Sequence, residues 1–269
     1  MPSSNPAFSR GFPGAANGQG AQATAWGQQS QQQWGSPAPY TQQSPYAATG
    51  AQYLTMDDVV TKTGLTFLVT VLTAAVTWVM VPQDVAFGLA LPLVLVGFVL
   101  GMVITFKQIA NPGATLAYAA IQGVFLGAIS EAFNQVYPGI VAQAVIGTLG
   151  VFFGMLVVYK TGAIRVTPKL TRWIVGAMFG VLALMLVNLV ASLFGFNTGL
   201  RDGGPLAIGF SLVVIGVAAF SLLLDFDMAD EAIRRGAPPK TAWYIAFGLL
   251  VTVVWLYLEI LRLLSYFRE

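Results

Sequence analysis

The sequence predicts an all-α, polytopic membrane protein: a bundle of seven transmembrane helices. Three observations carry this expectation. The chain is 56% hydrophobic but only 9% charged, where soluble domains carry roughly 25% charged residues. Its mean hydropathy is +0.72. Several apolar runs are long enough to cross about 30 Å of hydrocarbon at about 1.5 Å per residue. A sustained period-2 alternation, the mark of a transmembrane β-barrel, is missing.

Residues 1–53 are rich in Gln, Ser, Pro, Gly and Ala, with isolated Trp26, Trp34, Tyr40 and Tyr46. That composition buries too little surface to offset ordering entropy, so the segment is expected to be a disordered cytoplasmic tail. It contains no apolar stretch of the kind that forms a cleavable signal peptide. The membrane domain then occupies residues 54–269. It opens with Thr55-Met-Asp-Asp58, which resembles a capping box. Spans are expected near 63–82, 85–106, 114–135, 140–159, 172–194, 205–226 and 242–266. The breaks carry turn chemistry: Pro82-Gln83-Asp84, Asn111-Pro112-Gly113, Tyr137-Pro138-Gly139 and Arg201-Asp202-Gly203-Gly204-Pro205. Short turns between the first four spans predict antiparallel neighbours. Gly123 and Gly127, Gly150 and Gly154, and Gly176 and Gly180 are spaced to let helices approach closely.

Lysine and arginine set the expected orientation. With the N-terminus inside, Lys62, Lys107, Lys160, Arg165, Lys169, Arg172, Arg234, Arg235 and Lys240 fall on the inner side. Only Arg201, Arg262 and Arg268 fall outside, so the positive-inside rule favours N-in and C-out in the cell membrane.

Composition excludes several chemistries. Without a cysteine or a histidine, disulfides, thiolate catalysis, His-ligated metals and Ser-His-Asp triads are unavailable. A retinal protein needs a mid-span lysine, and all five lysines fall at or beyond span ends. The net charge of +2 is too small to point to nucleic acid. The chain is therefore expected not to be an enzyme, to need no cofactor, and to have the lipid bilayer as its main partner.

An acid inside an apolar span is expensive and marks a candidate functional site. Asp225 follows Leu222-Leu223-Leu224 and is expected at the inner end of the sixth span, as a cap or as a functional group. Asp227, Asp230, Glu231, Arg234 and Arg235 read as a solvated helical stretch with internal pairs. Glu259 lies inside WLYLEILRLL, with Arg262 three residues on as an available counter-ion. Glu131 shares a polar stripe with Gln122, Ser130 and Asn134 on the third span. Lys107 and Lys160 read as snorkelling residues, with Lys107 a candidate counter-ion for Asp225. By helical count Glu259 lies about 17 residues, or roughly 26 Å, into the last span. It meets Asp225 only if that span is tilted or displaced.

Seven spans, SLLLDFD at the end of the sixth and YLE within WLYLEILRLL together resemble the Bax inhibitor-1 (transmembrane Bax inhibitor motif) family, in particular its bacterial branch with Gln-rich tails. The resemblance covers about residues 55–267 through short motifs. It implies a pH-sensitive, low-flux calcium leak controlled by paired acids on the last two spans, here Asp225 and Glu259. It also implies a basic latch after the second span, for which Lys107 is the nearest match. The competing expectation is a non-transporting membrane adaptor that regulates a protease or a stress response.

Overall fold

The computed structural model describes residues 53–196 and 199–268; the expected tail, through residue 52, lies outside the described residues. Seven helices follow in order: α1 (Met56–Met80), α2 (Gln83–Lys107), α3 (Pro112–Val136), α4 (Ile140–Thr161), α5 (Pro168–Leu193), α6 (Pro205–Arg234) and α7 (Thr241–Tyr266). No strand occurs among the described residues. All except α2 have the length and composition to cross a membrane, whereas the described apolar part of α2, Pro92–Lys107, is shorter. Pro92 sits within α2, where it lacks a backbone donor and crowds the preceding turn.

Local chemistry sets the helix starts. Thr55 and Asp58 form the predicted capping box, each side chain accepting from the other's backbone N–H at 3.2 Å. Asn111 accepts from Gly113 N–H at 2.7 Å, and Thr167 from Leu170 N–H at 3.2 Å. Both caps precede a proline at the start of a helix, where the missing N–H costs nothing. α6 departs most from expectation. It runs eight residues past 226, to Arg234, because no breaker intervenes before Gly236-Ala-Pro-Pro.

α7 is the hub of the bundle and packs against α1, α3, α4 and α6. Its apolar residues Ile245, Leu249, Leu250, Leu256, Ile260 and Leu261 form much of the core. The antiparallel pairing expected of α1 and α2 is displaced, because α1 packs chiefly on α3 and α2 also packs on α3. Gly123 and Gly127 explain this arrangement. A Cβ at Gly123 would collide with the Thr70 carbonyl oxygen and with Thr73, and one at Gly127 would lie 2.5 Å from the Ala74 carbonyl oxygen. The other predicted glycine pairs do not pack this way: a Cβ at Gly150, Gly154, Gly176 or Gly180 meets nothing within 4 Å.

The two ends of the bundle are distinct. Leu54 N–H donates to the Ala237 carbonyl at 2.8 Å. Lys62 Nζ donates to the Pro239 carbonyl at 2.8 Å and pairs with Asp58. The start of α1 therefore adjoins the α6–α7 turn. Arg268, after α7, instead donates to the Pro138 carbonyl and to Gln143 Oε1, both at 2.8 Å, at the α3–α4 turn.

Candidate functional site

Most of α7 is buried, so its polar groups must find partners within the protein; hydrocarbon offers none. Two of them, Thr252 and Glu259, are seven residues apart and therefore near one face of the helix. Each meets α6, and together they define the candidate site.

Thr252 meets Asp225. Its hydroxyl donates to Asp225 Oδ2 at 2.7 Å. Asp225 is partly buried and precedes the end of α6 at Arg234 by about 13 Å at 1.5 Å per residue. It is not an end cap, as the shorter span would have made it. A carboxylate receiving a charge-assisted bond from a neighbouring helix is a functional candidate of a different kind.

Glu259 is 3% exposed. Its Oε1 accepts from the Ser211 hydroxyl on α6 at 3.1 Å, and its Oε2 lies 3.7 Å from Arg201 Nη2. Arg201 belongs to the α5–α6 connection, and its guanidinium carbon stands 6.0 Å from the centre of the Phe210 ring. The counter-ion of Glu259 is therefore Arg201 and not Arg262, which lies partly exposed on the next turn. A loop residue brought in by the fold has replaced the nearest cation in sequence.

The structure does not bring Asp225 and Glu259 together. Thr252, the residue opposite Asp225, precedes Glu259 on α7 by about 10.5 Å of helix rise. No hydrogen bond or ion pair joins the two acids among the described residues. Nor do the described residues contain a cluster of three or more potential metal-ligating side chains. The acids occupy separate stations along one helix pair. Lys107 is exposed in the last turn of α2, and among the described residues no ion pair links it to Asp225.

The polar stripe on α3 divides into local and cross-helix roles. Gln122 donates to Tyr118 on its own helix at 3.0 Å. Asn134 accepts from Gly139 N–H at 2.8 Å and shapes the α3–α4 turn. Ser130 reaches across to Tyr257 on α7, with the two hydroxyl oxygens 2.7 Å apart. Glu131, beside it, is partly buried. The charged end of α6 forms the expected intrahelical pairs: Arg234 lies 3.4 Å from Asp230, and Arg235 binds Glu231.

Three residues of the site were not singled out from sequence: Ser211, Thr252 and Arg201. The first two are lone hydroxyls in apolar runs, which carry a weaker form of the signal that marks a buried acid. Arg201 sits in a glycine-rich turn, where it reads only as a loop charge.

A family model described as Bax inhibitor 1 like matches residues 5–269, essentially the whole chain. No curated protein matches it.

Proposed function

The chain belongs to the Bax inhibitor 1 like family, and on that premise we propose that it is a multi-pass membrane protein through which cations, calcium first among them, leak under the control of Asp225 and Glu259. The supporting observation is the seam between α6 and α7. Each station there holds a carboxylate against a hydroxyl of the facing helix. Ionised carboxylate oxygens suit a hard cation such as Ca²⁺. Protonation removes their charge, so the permeability of the seam follows pH. The acids act in succession rather than as a shared pair. In this reading the protein catalyses no reaction. It lies in the cell membrane with its N-terminus in the cytoplasm and its C-terminus outside, the orientation its cations favour.

Purified protein in calcium-loaded liposomes tests the reading. Calcium flux above that of empty liposomes, changing between pH 5 and pH 8, is the expected result. A second reading has its own support, since both acids already have protein partners, as suits a sealed scaffold. Flux equal to that of empty liposomes at every pH favours this non-transporting adaptor, acting on a membrane protein partner. A reporter fused after Glu269 tests orientation separately: an external signal is expected, and a cytoplasmic one contradicts it.

A further inference from the structure

Glu259 is nearly inaccessible at 3% exposure, and the hydroxyl-bearing Ser211 beside it is 1% exposed. The Arg201 side chain, by contrast, is 20% exposed and comes from the α5–α6 connection rather than from a packed helix. The guanidinium nitrogen is 3.7 Å from Oε2, beyond the roughly 2.7–2.9 Å of a charge-assisted hydrogen bond. Charge, more than a fixed bidentate geometry, therefore holds it. The guanidinium also faces the Phe210 ring, and an aromatic face attracts cations. A buried carboxylate, itself held by the buried Ser211 hydroxyl, and an aromatic ring thus converge on one positive group tethered by a loop.

We infer that the end of the α6/α7 seam nearest the C-terminus is a binding site for a small cation, and that Arg201 is its built-in occupant. The site consists of Glu259, Ser211 and Phe210; other ionisable groups toward this end of the bundle include Glu131 on α3, Asp202 beside Arg201, and Arg262 and Arg268 at the end of α7. The ion pair of Glu259 is made by Arg201 and by none of these. Arg201 neutralises a charge that would otherwise be stranded in an apolar environment. Removing its side chain leaves a vacancy of the size and sign of a guanidinium ion. This inference does not rest on the leak reading and holds whether or not the protein conducts.

Chemical rescue tests it. The full chain is purified in detergent as wild type, Arg201→Ala, and the double variant Arg201→Ala with Glu259→Gln. Melting is followed with added guanidinium, sodium or calcium at low millimolar concentration and matched ionic strength. The expected result is that Arg201→Ala melts well below wild type, because a buried charge has lost its partner. At least one of the three cations should then raise its melting temperature by mass action, while leaving wild type and the double variant unmoved. If Arg201→Ala gives no folded protein, the double variant should restore it, since neutral Gln needs no counter-ion. The inference is overturned if Arg201→Ala melts with wild type, if no cation shifts it, if a cation shifts it and the double variant alike, or if the double variant fails to recover folding where the single variant has lost it.

Discussion

The α1/α3 and α6/α7 interfaces both use small and hydroxyl-bearing residues, but they direct the hydroxyls differently. On α1, Thr66, Thr73 and Thr77 donate to carbonyls one turn back on their own helix, at 2.7–2.8 Å. Thr70 does so at 3.1 Å and also lies 3.3 Å from the Ala119 carbonyl on α3. These hydroxyls mostly complete their own helix, and the interface is closed by contact between backbones at Gly123 and Gly127. On α6 and α7 the hydroxyls of Ser211 and Thr252 cross to carboxylates on the facing helix. The first interface is closed mainly by backbone approach at Gly123 and Gly127 and works as fixed packing. The second is held in part by groups whose charge follows pH, so it is the one able to respond.

The largest expected effect lies on the packing side. Gly123→Ala pushes a methyl group into the Thr70 carbonyl and Thr73, and overpacking of this kind costs about 1–3 kcal/mol, or more where backbone must move. Melting temperature and folded yield should fall at every pH. Gly150→Ala, where the new methyl meets nothing within 4 Å, should be neutral or slightly stabilising, because Ala favours helix over Gly. Equal losses from both would erase the distinction between a packed glycine face and an open one.

Next comes Thr252→Val, which keeps the shape and removes the donor to Asp225. Stranding a buried acceptor costs about 1–3 kcal/mol. A donor favours the charged carboxylate over the neutral acid, so the loss should be greatest at high pH and shrink as Asp225 protonates. A pH-independent loss would place Thr252 with the α1 threonines, as packing alone. Smaller still is the coupling between Asp225→Asn and Glu259→Gln. The acids lie in separate pairs, so their effects on stability should add to within about 0.5 kcal/mol. Strong non-additivity would return them to a single coupled unit. The smallest effects belong to Lys107→Gln and Arg262→Gln, exposed and partly exposed, which should stay within about 0.5 kcal/mol of wild type. A loss of several kcal/mol in either would reinstate it as a latch.

The seven helices were legible because apolar run length, proline-glycine turns and a capping box are local signals. The membrane-crossing character was legible for the same reason. The partners of the acids were not, because they depend on which helices meet and at what level. The end of the sixth helix was set too early through a local ambiguity: DFDMADEAIR reads equally well as an end cap or as continuing helix, and α6 runs on to Arg234. Glu259 was recognised as buried from its leucine and aromatic neighbours. Its counter-ion was taken to be the nearest cation in sequence, whereas the fold delivers Arg201 from a turn 58 residues earlier. The helical count kept Asp225 and Glu259 apart but overstated the gap: Asp225 faces Thr252, about 10.5 Å of helix rise from Glu259 rather than about 26 Å. What stands opposite Asp225 is a threonine, a residue too common in membrane helices to stand out by itself.

The proposed role of the α6/α7 carboxylates is to confer a pH-dependent cation permeability on the bundle. Its most direct test is calcium flux in liposomes containing wild type or the Asp225→Asn, Glu259→Gln double variant, measured from pH 5 to pH 8 at equal reconstituted amounts. Wild type should conduct above the empty-liposome baseline with a rate that changes across this range. The double variant, which has lost both titrating groups of the seam, should give a flat profile. A double variant that keeps the wild-type pH profile, or a wild type that never rises above baseline, would contradict the claim.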